Sequence, residues 1–97
     1  MDDRELTNAA AKAAGLWDSE NNCVDIPWSP LTNDGDALRL AVKLRLDIDF
    51  APKATWLGTK KDAPVPLTFE NHKEDPYAAT RRAIVRAAAA LQENRDV

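Results

Sequence analysis

Apolar residues in the first part of the chain recur every three or four positions: Leu6, Ala9, Ala10, Ala13, Leu16 and Trp17. That spacing lays one stripe along a helix. Asp2, Asp3 and Glu5 stand at its start, where the helix dipole favours anions, and Gly15 stands at its end. The pattern predicts a helix over residues 3–14, with Trp17 closing the stripe. "DSENN", Asp18 to Asn22, reads as a turn. "CVDIP" reads as a short strand ended by Pro27, with Val24 on one face and Cys23 and Asp25 on the other. Trp28, Ser29 and Pro30 must be extended, because a residue before proline is pushed out of the helical region. Asn33 then caps a second helix running to about Leu44, and Asp36 supplies the return half of a capping-box-like pair. Leu38, Ala41, Val42 and Arg45 mark one side of that helix; Ala37, Leu40 and Leu44 mark another. The pattern predicts burial around much of its circumference.

From Leu46 the period changes to two. "LDIDF" places Leu46, Ile48 and Phe50 on one face and Asp47 and Asp49 on the solvent face. After the short connection "APK", "ATWLG" reads as the next, antiparallel strand. "VPLTFE" alternates again, with Val65, Leu67 and Phe69 inward, and Pro66 marks it as an edge strand. Asp75 before Pro76 is a helix start: a capping side chain, then proline at the first helical position. In the helix that follows, Tyr77, Ile84, Ala88 and Leu91 fall on one stripe. The order α-β-α-β-β-α predicts one α+β domain over residues 1–97, with helices packed on a small antiparallel-rich sheet.

Composition narrows the function. The 97 residues are 44% hydrophobic and 30% charged, a globular mixture, but alanine supplies much of the apolar share, so the core is thin. A net charge of −3 gives no basic field and argues against nucleic acid as partner. Cys23 is the single cysteine, so an intramolecular disulfide and a cysteine metal cluster are both excluded. The acidic N-terminus differs from a secretory signal, and no stretch approaches the ~20 apolar residues of a membrane span.

Candidate chemistry is sparse. A calcium loop with Gly35 at its sixth position needs oxygen ligands at residues 30, 32 and 34 and an acid at residue 41; Pro30 and Ala41 stand at the ends, so that route is closed. Asp34 and Asp36 could serve a metal-dependent hydrolase, but first-turn helix carboxylates explain them as well. Cys23 has no glycine elbow, and His72, in the charged "ENHKED", reads as a solvated turn residue. The three glycines form no phosphate loop. Arg81, Arg82 and Arg86 on the last helix, with Trp28 or Trp56, could hold a small phosphorylated ligand. The alternative is the polar face of an amphipathic helix, paired with Asp47, Asp49 or nearby glutamates.

"WSPLTNDGDALRLAVKLRLDIDF", followed near the C-terminus by "DPYAATRRAIVRAAAAL", resembles the small phage and prophage proteins of the phage ABA sandwich domain family. Its members typically read Trp-Asn-Pro-Leu-Thr-Asp-Asp-Gly-Asp-Ala-Leu-Arg-Leu-Ala-Val-Lys-Leu and begin with a helix ending in "AAKAAG", as Glu5 to Gly15 does here. Ser29 and Asn33 stand where many members have Asn and Asp. The resemblance implies an α-β-α layered sandwich, a phage or prophage gene and the bacterial host cytoplasm. It implies no activity, cofactor or catalytic residue.

These readings converge on a non-enzymatic accessory protein that binds a host or phage macromolecule, without a cofactor and as a homo-oligomer. Trp28, Pro30, Thr32, Asp34, Asp36 and Arg39 from the turn and second helix, with Tyr77, Arg81 and Arg82 from the last helix, form the expected binding surface. Two rivals follow from the same residues. One is a binding protein that sequesters a nucleotide signal of host defence; the other is a weak metal-dependent hydrolase at Asp34 and Asp36.

Overall fold

The first helix, α1 (Asp3–Ala13), starts where the sequence places it: the Asp2 carboxylate accepts the Glu5 backbone N–H at 2.8 Å. Gly15 ends it in the left-handed region, φ +74°, a conformation that a Cβ would strain. Leu6, Ala9, Ala10 and Ala13 are buried. The computed structural model describes residues 2–59 and 68–95 of the chain. The expected edge-strand residues Val65, Pro66 and Leu67 lie outside the described residues.

After Gly15 come two short antiparallel strands, β1 (Trp17–Asp18) and β2 (Cys23–Val24), with Trp17 opposite Val24. Trp17 is therefore not the end of the helical stripe. Gly15 has already turned the chain, and the indole instead lies under the Lys12 ammonium, 4.9 Å from ring centroid to Nζ. Asp18 ties the turn between the strands, accepting the Glu20 and Asn21 N–H groups and the Asn21 side-chain amide. The Asn21 bonds, side chain first, hold its carboxyl below the usual carboxylate range.

Helix α2 (Asp34–Leu44) is capped by Asn33, whose side chain accepts the Asp36 N–H at 2.9 Å. It buries Ala37, Leu40 and Ala41, while Leu38 and Val42 stand in solvent. The expectation of burial around most of its circumference is thus corrected. α2 packs chiefly on one neighbouring helix and only borders the sheet, so Leu38 and Val42 of its second apolar side are left uncovered.

Strands β3 (Leu46–Ala51), β4 (Ala54–Thr59) and β5 (Thr68–Asn71) form an antiparallel sheet in the order β3-β4-β5. Ile48 pairs with Leu57, and Asp49 with Trp56, which pairs in turn with Phe69. One face therefore carries Leu46, Ile48, Thr55, Leu57 and Glu70 toward the helices. The other carries Asp47, Asp49, Trp56 and Phe69. The aspartates are on the solvent face as the alternation predicts. Phe69 is not inward: it stacks on Trp56 with centroids 4.6 Å apart. Glu70 takes the helix side because two arginines of the last helix reach down to it.

That last helix, α3 (Pro76–Arg95), begins as expected. The Asp75 carboxylate accepts the Tyr77 and Ala78 N–H groups at 3.0 and 3.1 Å, and proline opens the helix. α3 is the hub of the molecule, packing against α1, α2, β4 and β5. Its buried face, Ala83, Ile84, Val85, Ala87 and Ala88, meets Ala10 of α1, Leu40 and Ala41 of α2 and Leu57 of β4 in one core. The result is a compact α+β fold with three helices and two small antiparallel sheets. The observed order, α-β-β-α-β-β-β-α, has two strands more than the expected α-β-α-β-β-α: Trp17–Asp18, and a third strand after α2 where that order has two. Among the described residues, no helix is long and apolar enough to cross a membrane.

Candidate functional site

The segment from Trp28 to Arg39 is fastened at several points. Asn33 N–H donates to the Ser29 carbonyl at 2.8 Å. One Asp36 oxygen accepts the Ser29 N–H at 3.0 Å and the other accepts Arg39 Nη2 at 2.7 Å. The capping box is therefore corrected: Asp36 reaches back to Ser29, because the Asn33 N–H is already committed to the preceding turn. The Ser29 N–H, and after it the Arg39 guanidinium, hold the Asp36 carboxyl below its ordinary range. Arg81 of α3 adds a tertiary clamp, with Nε donating to the Leu31 carbonyl at 2.8 Å and Nη1 to Asp34 at 2.6 Å. Pro30 is buried, Trp28 packs against the core, and Thr32 is exposed with its hydroxyl turned to Ser29.

Of the expected surface, Asp34, Tyr77 and Arg81 come together on one cleft of about 450 Å³ between α2, α3 and β3. Its walls are mostly carbon. Leu38 comes from α2, Ile48 and Phe50 from β3, and Tyr77 and Ile84 from α3; Asp34, Arg81 and His72 form polar points on its margin. Leu38, Phe50 and Tyr77 are 59, 66 and 70% exposed. Three large apolar side chains thus stand open around one concavity. Tyr77 shares a helical stripe with Ile84 and was expected on the binding surface. It lies in the first turn, beyond the stretch that α1 and the sheet cover, and forms a lip of the cleft.

Leu38 and Phe50 were missed as site residues because their periodicity matches a core side. The available signal was α2's second apolar side, which has more hydrocarbon than a small sheet can cover. Trp28 and Pro30 belong to the packed side of the loop. Asp36 and Arg39 pair with each other. Arg82 lies outside the cleft, bonded to Asp3 at 2.8 Å and Glu70 at 3.3 Å. Arg86 holds the other Glu70 oxygen at 3.0 Å and the Phe69 carbonyl at 3.1 Å. These arginines are the paired polar face of a helix, with Glu70 and Asp3 as partners in place of Asp47 and Asp49.

His72 is not a solvated turn residue. Its Nε2 shares a hydrogen bond of 2.8 Å with the Thr55 hydroxyl, which is buried and bonded in turn to Thr80 at 2.9 Å. Burying that hydroxyl is tolerable because both contacts satisfy it. Cys23 is exposed on the β1–β2 hairpin, which packs beside α1, whereas His72 is bonded to Thr55 of β4. Among the described residues, no group of three His, Cys, Asp or Glu side chains could hold a metal ion.

The class these features define is a small α+β protein with an open apolar cleft between two helices and a strand. Comparison with protein-family models, curated proteins and solved structures finds no match for the chain. The resemblance to the phage ABA sandwich proteins rests on the quoted residues alone.

Proposed function

We propose that this protein is a non-enzymatic phage or prophage accessory factor that acts in the bacterial host cytoplasm by holding a host or phage protein in the cleft between α2, α3 and β3. The observation that carries this reading is the exposure of Leu38, Phe50 and Tyr77 around one concavity. Leaving such side chains in water costs about 1.5–3 kcal/mol each relative to full burial, and a protein partner recovers that energy. The polar margin formed by Asp34, Arg81 and His72 suits a rim that sets orientation. A small phosphorylated ligand is the weaker fit. Arg81 is already turned to Asp34 and the Leu31 carbonyl, Arg82 and Arg86 are held by carboxylates, and the Asp34 carboxylate on the cleft would repel a phosphate. A hydrolase at Asp34 and Asp36 is weaker still, because the two carboxylates serve separate structural bonds.

Affinity capture from bacterial lysate tests the proposal with three proteins: wild type, Phe50→Asp, and Arg4→Ala on the exposed side of α1. A protein retained by wild type and Arg4→Ala, and lost by Phe50→Asp with thermal stability unchanged, supports it. An identical captured set for all three overturns it. A rise of several degrees in melting temperature with one nucleotide, at about a hundred times its dissociation constant, would move the assignment to the small-ligand reading.

A further inference from the structure

Strand β3 borders the cleft and is an edge of its sheet. β4 lies on one side, and among the described residues no strand lies on the other. An edge strand presents alternate backbone N–H and C=O groups to any chain that can lie beside it. The two faces of β3 differ sharply. Ile48 and Phe50 line the cleft. Asp47 and Asp49 are exposed on the opposite face, where their cross-strand neighbours are Gly58 and Trp56. Neither aspartate has an ion-pair partner among the described residues. Arg45 and Lys53, the nearest cationic residues in sequence, stand at the two ends of the strand, so its middle is acidic.

We infer that the β3 edge receives an extended segment of the partner as a fourth strand, and that this segment alternates apolar with basic side chains. Its basic residues lie over Asp47 and Asp49 on the open face. Its apolar residues point to the other face and enter the cleft against Leu38, Phe50 and Tyr77. Backbone hydrogen bonds supply affinity in such strand addition, and side chains on alternate positions supply specificity. The inference rests on the cleft being a protein-docking site and names the chemistry of what docks there.

The charge pattern also decides between a foreign segment and a second copy of this chain. Antiparallel pairing of β3 with its own copy, centred on Ile48, would set Asp47 opposite Asp49 of the copy, and the reverse. Like charges directly opposite destabilise a strand pair. The aspartates therefore guard this edge against self-association while leaving it open to a cationic strand.

Two short peptides distinguish the outcomes when titrated into the isotopically labelled full chain. Both carry valine at every second position; one has lysine between the valines and the other glutamate. The lysine peptide is expected to bind, to slow hydrogen exchange of outward β3 amides, and to weaken with added salt. In the Asp47→Lys, Asp49→Lys variant the preference is expected to reverse, with roughly tenfold loss for the lysine peptide. Equal binding of the two peptides, no change in β3 exchange, or no binding of the lysine peptide overturns the inference. If both peptides bind equally and Phe50→Asp abolishes both, the cleft reading survives and strand addition falls. If the charge preference and β3 protection appear but Phe50→Asp changes nothing, strand addition survives and the cleft reading falls.

Discussion

Asn33 and Asp36 look interchangeable in sequence, yet they do different work. Asn33 caps a helix by accepting one otherwise unpaired N–H. Asp36 fixes a loop by accepting from Ser29, seven residues back, and from Arg39. Asn33→Ala is expected to cost about 0.5–2 kcal/mol, read as a shift in the urea midpoint with unchanged slope. Asp36 makes a pH-dependent contribution whose sign is fixed by its lowered carboxyl. The stabilisation is fully present above the unfolded-state value of roughly 3.9, and it is lost as pH falls through the lower folded value. The stability gap between wild type and Asp36→Asn, followed by denaturant titration from neutral pH downward, is expected to be widest near neutrality and to close in acid. A constant gap across the range would show that the charge itself contributes nothing.

Among the elements, α3 is the one whose composition explains its place. Ala83, Ala87 and Ala88 are fully buried, and on α1 so is Ala10. Small side chains let helices approach closely, so hydrocarbon that would be thin elsewhere still closes a core. The corollary is intolerance of bulk. Ala10→Leu is expected to destabilise by about 1–3 kcal/mol through overpacking, although leucine is a good helix former and more hydrophobic. Thermal unfolding checks this; a gain in stability would mean that a void lies beside Ala10. The contrast with α2 is instructive, since it has bulkier apolar residues and leaves two of them, Leu38 and Val42, in water.

For the whole molecule, local signals were legible and placement was not. Asp2, Asn33 and Asp75 each mark a helix start, because capping involves only the next few residues. The alternation of "LDIDF" gave the two faces of β3 for a similarly local reason. Which apolar sides would be covered depends on where α3 lands, and no local pattern carries that. Hence Phe50 read as inward and stands open, His72 read as solvated and meets Thr55, and Phe69 read as inward and stacks on Trp56. Of the cleft, Asp34, Tyr77 and Arg81 were legible in sequence, while Leu38 and Phe50 were hidden by a periodicity that a core shares. The position of α3 as hub also bears on biosynthesis. Its partners on α1, α2 and the sheet all precede it along the chain, and the Arg82 bond to Asp3 spans 79 positions. A nascent chain therefore leaves the ribosome with its earlier elements lacking the helix that buries them. Folding completes only after α3 emerges, and the interval before then is when the growing polypeptide most needs a chaperone.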